Sequence, residues 1–248
     1  MTRAMVPRGD SGGRERSGLG MALAHIAIDG PAGSGKTTVA RALSRRLGIL
    51  HLDTGAMYRA LALAALEAGV PVDDEAAILR LARAKPIGVT LDERAPEGFR
   101  IHIGEREVGA ELYRNEVSTI VSIVAAYAGV REIMVDRQRA IAQEGPVVMA
   151  GRDIGTVVMP DAPVKIFLTA SLEARVGRRL AELAQQGTSV DVSELRSQME
   201  ERDHLDEHRA VSPLQPAPGS VAIDSTDLTV DEVVERIRSV MDAASANQ

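Results

Sequence analysis

Residues 30–37 read GPAGSGKT and fit the spacing G-x-x-x-x-G-K-[ST] at every fixed position. The glycines let consecutive backbone N–H groups turn toward one centre, where they can hold phosphate oxygens. Lys36 can reach the β- and γ-phosphates of a nucleoside triphosphate, and the Thr37 hydroxyl can ligate Mg²⁺. The spacing therefore predicts a triphosphate-binding loop formed by Gly30, Pro31, Ala32, Gly33, Ser34, Gly35, Lys36, Thr37 and Thr38.

The segments on either side of this loop are those needed to position it. The apolar run at 25–28 predicts a short strand, and a helix is predicted from Lys36 to Leu47, ending at Gly48. The amino-terminal end of that helix adds a partial positive charge beside the bound phosphates. A strand, a loop and a helix in this order favour a triphosphate site over a chance glycine-rich turn.

A second group of candidate residues follows the apolar run at 147–150, where residues 151–153 read GRD. An arginine beside an acid suits a second anionic substrate lying next to the triphosphate. A GTPase would need Asn-Lys-x-Asp, yet the asparagines are Asn115 and Asn247, and neither precedes lysine. A motor or transporter ATPase normally shows an apolar strand ending in Asp or Asp-Glu. Here the apolar run at 147–150 continues instead into Gly151-Arg152-Asp153. The residues favour a small-molecule kinase.

Composition excludes several other classes of protein. The 248 residues carry a formal charge of −6, so no basic field indicates a nucleic-acid partner. Without cysteine, the chain has no disulfide, thiolate zinc site or cysteine nucleophile, which is compatible with the expected cytoplasmic location. The longest apolar run, at 60–66, is too short to cross a membrane. A monomer is the default expectation.

Strands and helices alternate along most of the chain, which predicts a parallel sheet with helices on both faces. Short strands at 87–91, 99–103 and 107–108, with a turn at 96–98, predict a small antiparallel insertion. We predict an α/β P-loop NTPase fold over 21–248, with an inserted monophosphate-binding lobe at about 85–115 and an arginine-rich helical lid at about 171–190. Residues 1–20 are expected to be a disordered tail, and Met21 directly precedes the first predicted strand region.

Several segments, in order, closely resemble the bacterial cytidylate kinase family. They are residues 28–36 (IDGPAGSGK), 52–59 (LDTGAMYR), 151–156 (GRDIGT), 160–168 (PDAPVKIFL), 201–203 (ERD) and 224–226 (DST). The similarity extends from about residue 24 to the C-terminal helix. It implies Mg²⁺-dependent transfer of phosphate from ATP to CMP or dCMP.

The resemblance also implies roles for individual residues. Positions matching the family's acceptor site are Asp53, Thr54, Arg59, Ser122, Arg131, Arg152, Asp153, Arg202, Asp206 and Arg209. Within this set, Arg59 and Arg152 resemble the arginines that hold the acceptor phosphate. Ser122, Arg131 and Asp153 match positions that recognise cytosine. Arg202 and Asp206 match sugar contacts, and Arg209 lies near the nucleoside. Residues expected to act in the transfer itself are Lys36, Arg152, Arg175 and Arg179, with Arg175, Arg178 and Arg179 in the lid over ATP.

The chain departs from the family pattern at two places, and parts of it fit other functions. Thr54 stands where serine is frequent, and His204-Leu205 interrupts the segment ending at Asp206. A kinase for UMP, AMP or shikimate would share the loop but differ in its base contacts. A non-catalytic nucleotide-binding regulator would keep the loop and lose the acceptor arginines. Residues 204–208 also fit H-x-x-E-H, a zinc peptidase pattern, although no third ligand is evident.

Overall fold

The computed structural model describes residues 25–92, 94–95, 97–185 and 187–246. The strands are β1 (His25–Asp29), β2 (Leu50–Asp53), β3 (Ile87–Leu91), β4 (Phe99–Ile103), β5 (Arg106–Val108), β6 (Val147–Gly151), β7 (Val164–Thr169) and β8 (Val221–Asp224). The α-helices are α1 (Lys36–Leu47), α2 (Gly55–Glu67), α3 (Glu75–Ala84), α4 (Asn115–Ala126), α5 (Ala128–Gln143), α6 (Leu172–Gln185), α7 (Val192–His208) and α8 (Val230–Ala246). A 3₁₀ turn spans Ala110–Tyr113 and a π-helical turn spans Ile154–Val158.

The main sheet is parallel, with strand order β2-β6-β1-β7-β8. Successive residues of β1 face opposite sides of the sheet, and both sides are covered. Ile26 and Ile28 lie in a core shared with α1 and α8, whereas Ala27 belongs to a second core with α2, α4 and α5. This burial on both faces explains why β1 and β6 read as continuous apolar runs. The predicted α/β architecture is confirmed.

The predicted insertion is a separate antiparallel sheet with strand order β3-β4-β5. In β4, Phe99, Ile101 and Ile103 are buried in the core that includes α2, while the intervening residues are more exposed. This alternation is typical of a sheet with one buried face. The turn predicted at 96–98 includes Pro96, which lies outside the described residues, as do residues 1–20.

Local sequence signals set the ends of two helices that flank the main sheet. Gly48 follows α1 with a φ of 66°, the left-handed conformation that glycine adopts without a Cβ penalty. Before α8, the Glu232 N–H donates to Thr229 Oγ1 at 3.3 Å, and the Thr229 N–H donates to Glu232 at 2.8 Å. The end of α1 at Gly48 and the start of α8 after Thr229 are thus both set by the residues at those positions.

Two features of the chain are not set by local hydropathy. Strand β2 covers Leu50–Asp53, because its pairing with β6 runs from Leu50 opposite Val147 to Asp53 opposite Ala150. The π-helical turn after β6 was not predicted. Pairing with a distant strand, rather than local hydropathy, therefore places Asp53 at the end of the sheet.

Among the described residues, no single helix is long and apolar enough to cross a membrane; α4 and α5 pass that test only as a pair bent by 95°.

Candidate active site

The loop between β1 and α1 fits closely against neighbouring backbone. Gly30 has a φ of 151°, and a Cβ placed there would lie 2.0 Å from the Leu168 carbonyl oxygen. Gly33 has a φ of 74°, and its Cβ would lie 3.1 Å from Arg175 Cβ. A side chain at Gly30 would therefore force the loop away from β7.

Lys36 lies inside this loop. Its Nζ donates to the Pro31 carbonyl oxygen at 2.6 Å, and the Ser34 hydroxyl oxygen is 3.4 Å away. Burial lowers the pKa of Lys36 well below its ordinary value of 10.5, and the charge of Arg152 lowers it further. The ammonium group is thus held at the loop centre, where added negative charge would be favourable.

Thr37 and Asp53 bring two oxygen groups together beside the loop. Thr37 Oγ1 donates to Asp53 Oδ2 at 2.7 Å, while Asp53 Oδ1 accepts from the Gly55 N–H at 2.9 Å. A hydroxyl and a carboxylate fit Mg²⁺, which prefers oxygen ligands and is usually shared with substrate phosphates and water. Across the described residues, no cluster of three or more His, Asp or Glu forms a metal cage.

A cavity gathers eight of the ten predicted acceptor residues, and the charges of three of them, Arg152, Arg202 and Asp206, act on Lys36 of the neighbouring loop. The eight are Thr54, Ser122, Arg131, Arg152, Asp153, Arg202, Asp206 and Arg209. The segments that contribute them are the start of α2, helices α4 and α5, the end of β6 and helix α7. The other two, Asp53 and Arg59, are not among its lining residues. Chain segments far apart in sequence therefore converge on one site.

One end of the cavity carries a buried ion pair between Arg131 and Asp153, whose side chains are 3% and 5% exposed. A second Arg131 nitrogen donates to the Ala125 carbonyl oxygen at 3.1 Å. The Ser122 hydroxyl oxygen is buried and makes no hydrogen bond to the described part of the chain. This end offers a fixed carboxylate and an unused hydroxyl.

The other end is rich in arginine. Arg152 Nε pairs with Asp206 Oδ2 at 2.8 Å. Burial lowers the pKa of Arg202 to about 9, with the charges of Arg152 and Arg59 as the next causes. The positive charges of Arg152, Arg202 and Arg59 repel one another. This end of the cavity therefore favours an anion.

Arg59, which lies outside the cavity lining, is anchored to the insertion side of the molecule. Its Nη1 donates to Ser118 Oγ at 2.8 Å and to the Leu112 carbonyl oxygen at 3.2 Å. Its guanidinium carbon lies 5.4 Å from the centre of the Tyr113 ring. Arg59 therefore makes its own contacts away from the cavity, and only its charge acts on Arg152 and Arg202.

The lid arginines of α6 make different contacts. Arg175 Nη1 lies 2.6 Å from Asp203 Oδ2 on α7 and donates to the Ala32 carbonyl oxygen at 3.2 Å. Arg178 donates to the Ser225 carbonyl oxygen at 2.5 Å. Arg179 pairs with Glu182 at 2.9 Å on the same helix. Arg175 and Arg178 are thus engaged with the protein on the triphosphate side.

Three polar residues near the site were missed by the sequence reasoning. Buried Asp29 accepts backbone hydrogen bonds from Ile154 and Gly155. Ser225 Oγ donates to the Ser34 carbonyl oxygen at 3.1 Å, and Asp203 pairs with Arg175. All three stood inside the family-like segments, which was a signal of importance but not of a role.

Two other features lie outside this arrangement. His204 and His208 stack with ring centroids 4.2 Å apart, without a third ligand in the described structure. A larger cavity, of about 260 Å³, is lined by residues that include Arg41, Arg45 and His51. None of its lining residues belongs to the triphosphate loop or the predicted acceptor set, so the smaller cavity is the candidate active site.

Comparison with known proteins agrees with this geometry. The family model described as cytidylate kinase matches residues 26–243. Cytidylate kinase from Bacillus licheniformis is 47% identical over 218 residues, covering 88% of this chain and 95% of that protein. Cytidylate kinase from Desulforamulus reducens is 48% identical over 212 residues, covering 86% and 94%. A bifunctional pantoate ligase/cytidylate kinase from Synechococcus is 46% identical over 212 residues, covering 86% of this chain and 39% of its own length. The loop, the cavity that gathers the predicted acceptor residues (the acceptor cavity) and these matches agree. The chain belongs to the cytidylate kinase family.

Proposed function

We propose that this protein transfers the γ-phosphate of ATP to CMP or dCMP, giving ADP and CDP or dCDP. The observation that carries this proposal is the convergence of eight predicted acceptor residues on one cavity beside the triphosphate loop. A regulator that only binds nucleotide would have no use for such a cavity. The cluster of acceptor arginines also separates this chain from that alternative.

The arginine end of the cavity suits the acceptor phosphate. A nucleoside monophosphate is largely dianionic near neutral pH, because its second pKa is about 6. Its oxygen is already a nucleophile, so the reaction needs no general base. Arg152 and Arg59 can hold this dianion in line with ATP and offset its charge, with the charge of Arg202 close by. Catalysis then consists mainly of positioning and electrostatic stabilisation.

The triphosphate side follows from the loop. Backbone N–H groups of the loop and the Lys36 ammonium would hold the β- and γ-phosphates. Thr37 and Asp53 would hold Mg²⁺, which when bound offsets negative charge on the phosphate oxygens. We propose that Arg175 and Arg179 act from the lid during transfer. Closure of α6 over ATP would exclude water and suppress hydrolysis.

Base selection is assigned to the opposite end of the cavity. The Asp153 carboxylate can accept a hydrogen bond from the 4-amino group of cytosine, which uracil lacks. Arg131 holds that carboxylate in place, and Ser122 offers a further hydrogen-bonding group. A UMP molecule would leave the buried acceptor unpaired, and such a mismatch discriminates strongly. Arg202 and Asp206 would contact the sugar, with Arg209 beside the nucleoside.

Calorimetric titration without ATP tests the acceptor assignment independently of turnover. CMP and dCMP should bind at least tenfold more tightly than UMP, since one unpaired buried group costs about that much. Equal affinity for the three nucleotides would contradict the assignment. The cytoplasmic location, the monomeric state and the lack of nucleic-acid or membrane partners stay predictions.

A further inference from the structure

Asp29 is the last residue of β1, and only 2% of it is exposed. Its Oδ1 accepts a hydrogen bond from the Ile154 N–H at 2.8 Å, and its Oδ2 accepts one from the Gly155 N–H at 2.7 Å. These two donors begin the π-helical turn Ile154–Val158. One carboxylate therefore holds the first two N–H groups of a turn that lies 125 residues further along the chain.

The residue expected to cap this turn is Asp153, which immediately precedes it. Aspartate at such a position ordinarily accepts a hydrogen bond from the first backbone N–H groups of the turn. Asp153 makes no side-chain capping bond within the described structure, and its carboxylate instead pairs with Arg131. Asp29 therefore replaces Asp153 as the cap, and the Asp153 carboxylate is available to the acceptor cavity.

The position of Asp29 also connects the two halves of the active site. It directly precedes Gly30, the first residue of the triphosphate loop, and in the sheet it lies opposite Gly151, which precedes Arg152. Space around the turn is limited, since a Cβ on Gly155 would lie 3.0 Å from Ala217 Cβ and 3.4 Å from Asp29 Oδ2. A change at Asp29 would therefore reach Arg152 and Asp153.

We infer that Asp29 is a positioning residue for the acceptor site, whose carboxylate fixes the segment from Arg152 to Gly155 relative to the triphosphate loop. Burial raises the pKa of Asp29 to about 6, against the lowering effect of the Gly155 and Ile154 hydrogen bonds. At neutral pH the carboxylate form, which can accept both bonds, is therefore the main one. The expected effect of Asp29 on the KM for CMP and on base preference rests on the proposed function.

Asp29→Asn tests the inference because an asparagine amide has only one acceptor oxygen. Its NH2 group would face a backbone N–H that also donates, so one of the two hydrogen bonds would be lost. The KM for CMP should rise about tenfold and the CMP-to-UMP ratio of kcat/KM should fall, while the KM for ATP changes less than threefold. The matched control is Asp74→Asn, because Asp74 is exposed and caps α3 by accepting from the Ala77 N–H at 2.9 Å. Asparagine caps helices about as well as aspartate, so that variant should leave both KM values and the base ratio unchanged.

A lowered melting temperature with unchanged KM for CMP and unchanged base ratio would overturn the inference. If Asp29→Asn does not fold, hydrogen exchange on the unaltered protein decides the matter. The Ile154 and Gly155 amides should be protected as strongly as those of β6, and exchange as fast as in an open turn would overturn it. If the unaltered enzyme prefers another monophosphate, the proposed function fails, and the KM comparison is then made with that acceptor.

Discussion

Arg131 on α5 and Asp153 after β6 form an ion pair whose side chains are almost fully buried beside the acceptor cavity. Removing two charges from water is costly, and their mutual attraction only offsets that cost when both partners remain. The pair therefore holds the Asp153 carboxylate, to which we assign the reading of cytosine, in one place without adding much net stability. Under the proposed function, stability and base selection both depend on this contact.

Arg131→Met should lower the free energy of unfolding by about 3 kcal/mol, because it leaves the Asp153 carboxylate buried without a partner. Urea denaturation measures this loss. The double variant Arg131→Met with Asp153→Leu should recover most of it, since the unpaired charge is gone. A double variant as unstable as the sum of two single losses would contradict this account of the pair.

Asp153→Asn should reduce the preference for cytosine, because an amide can present a donor as readily as an acceptor to the base. The ratio of kcat/KM for CMP to that for UMP should fall at least about tenfold. Asp161→Asn, on an exposed turn outside the cavity, is the control and should leave the ratio unchanged. Equal proportional losses with both nucleotides would assign base selection elsewhere.

Thr37→Val removes the hydroxyl that lies against Asp53 while keeping the shape of the side chain. The Mg²⁺ concentration for half-maximal activity should rise, and kcat at saturating Mg²⁺ should fall by about 10²-fold. Thr37→Ser retains the hydroxyl and should stay within a few-fold of the unaltered enzyme. Steady-state rates over a Mg²⁺ titration provide the test. An unchanged Mg²⁺ requirement in Thr37→Val would remove Thr37 from the metal site.

His51, on β2, is buried, and burial lowers its pKa from 6.5 to about 4. In the unfolded chain this histidine is protonated below about pH 6.5, whereas in the folded chain it stays neutral until about pH 4. The free energy of unfolding therefore falls as the pH drops from about 6.5 toward 4. At pH 5 the loss from this residue should be about 2 kcal/mol.

Unfolding free energies at pH 7.5 and pH 5 measure that loss. His51→Leu should flatten the pH dependence, whereas His204→Gln, which alters an exposed histidine, should not. A His51→Leu protein with the same acid sensitivity as the unaltered chain would show that other groups cause it.

The parts of the molecule that sequence could predict are those set by local signals. The loop from Gly30 to Thr37, the stop at Gly48 and the capping box at Thr229 each depend on nearby residues alone. Six of the ten predicted acceptor residues stand in the family-like segments, whereas Ser122, Arg131, Asp206 and Arg209 lie outside them. The role of Asp29 was not accessible, since it depends on the pairing of β1 with β6. The Arg175 contact with Asp203 likewise requires α6 to pack on α7.

The central claim is that the cavity beside the triphosphate loop accepts a cytidine monophosphate. A coupled assay of ADP release with ATP and Mg²⁺ tests it directly, comparing CMP, dCMP, UMP, AMP and no acceptor. The account predicts rapid turnover with CMP and dCMP, weaker turnover with UMP and negligible release without an acceptor. Faster turnover with UMP or AMP than with CMP, or ADP release that needs no acceptor, would contradict it.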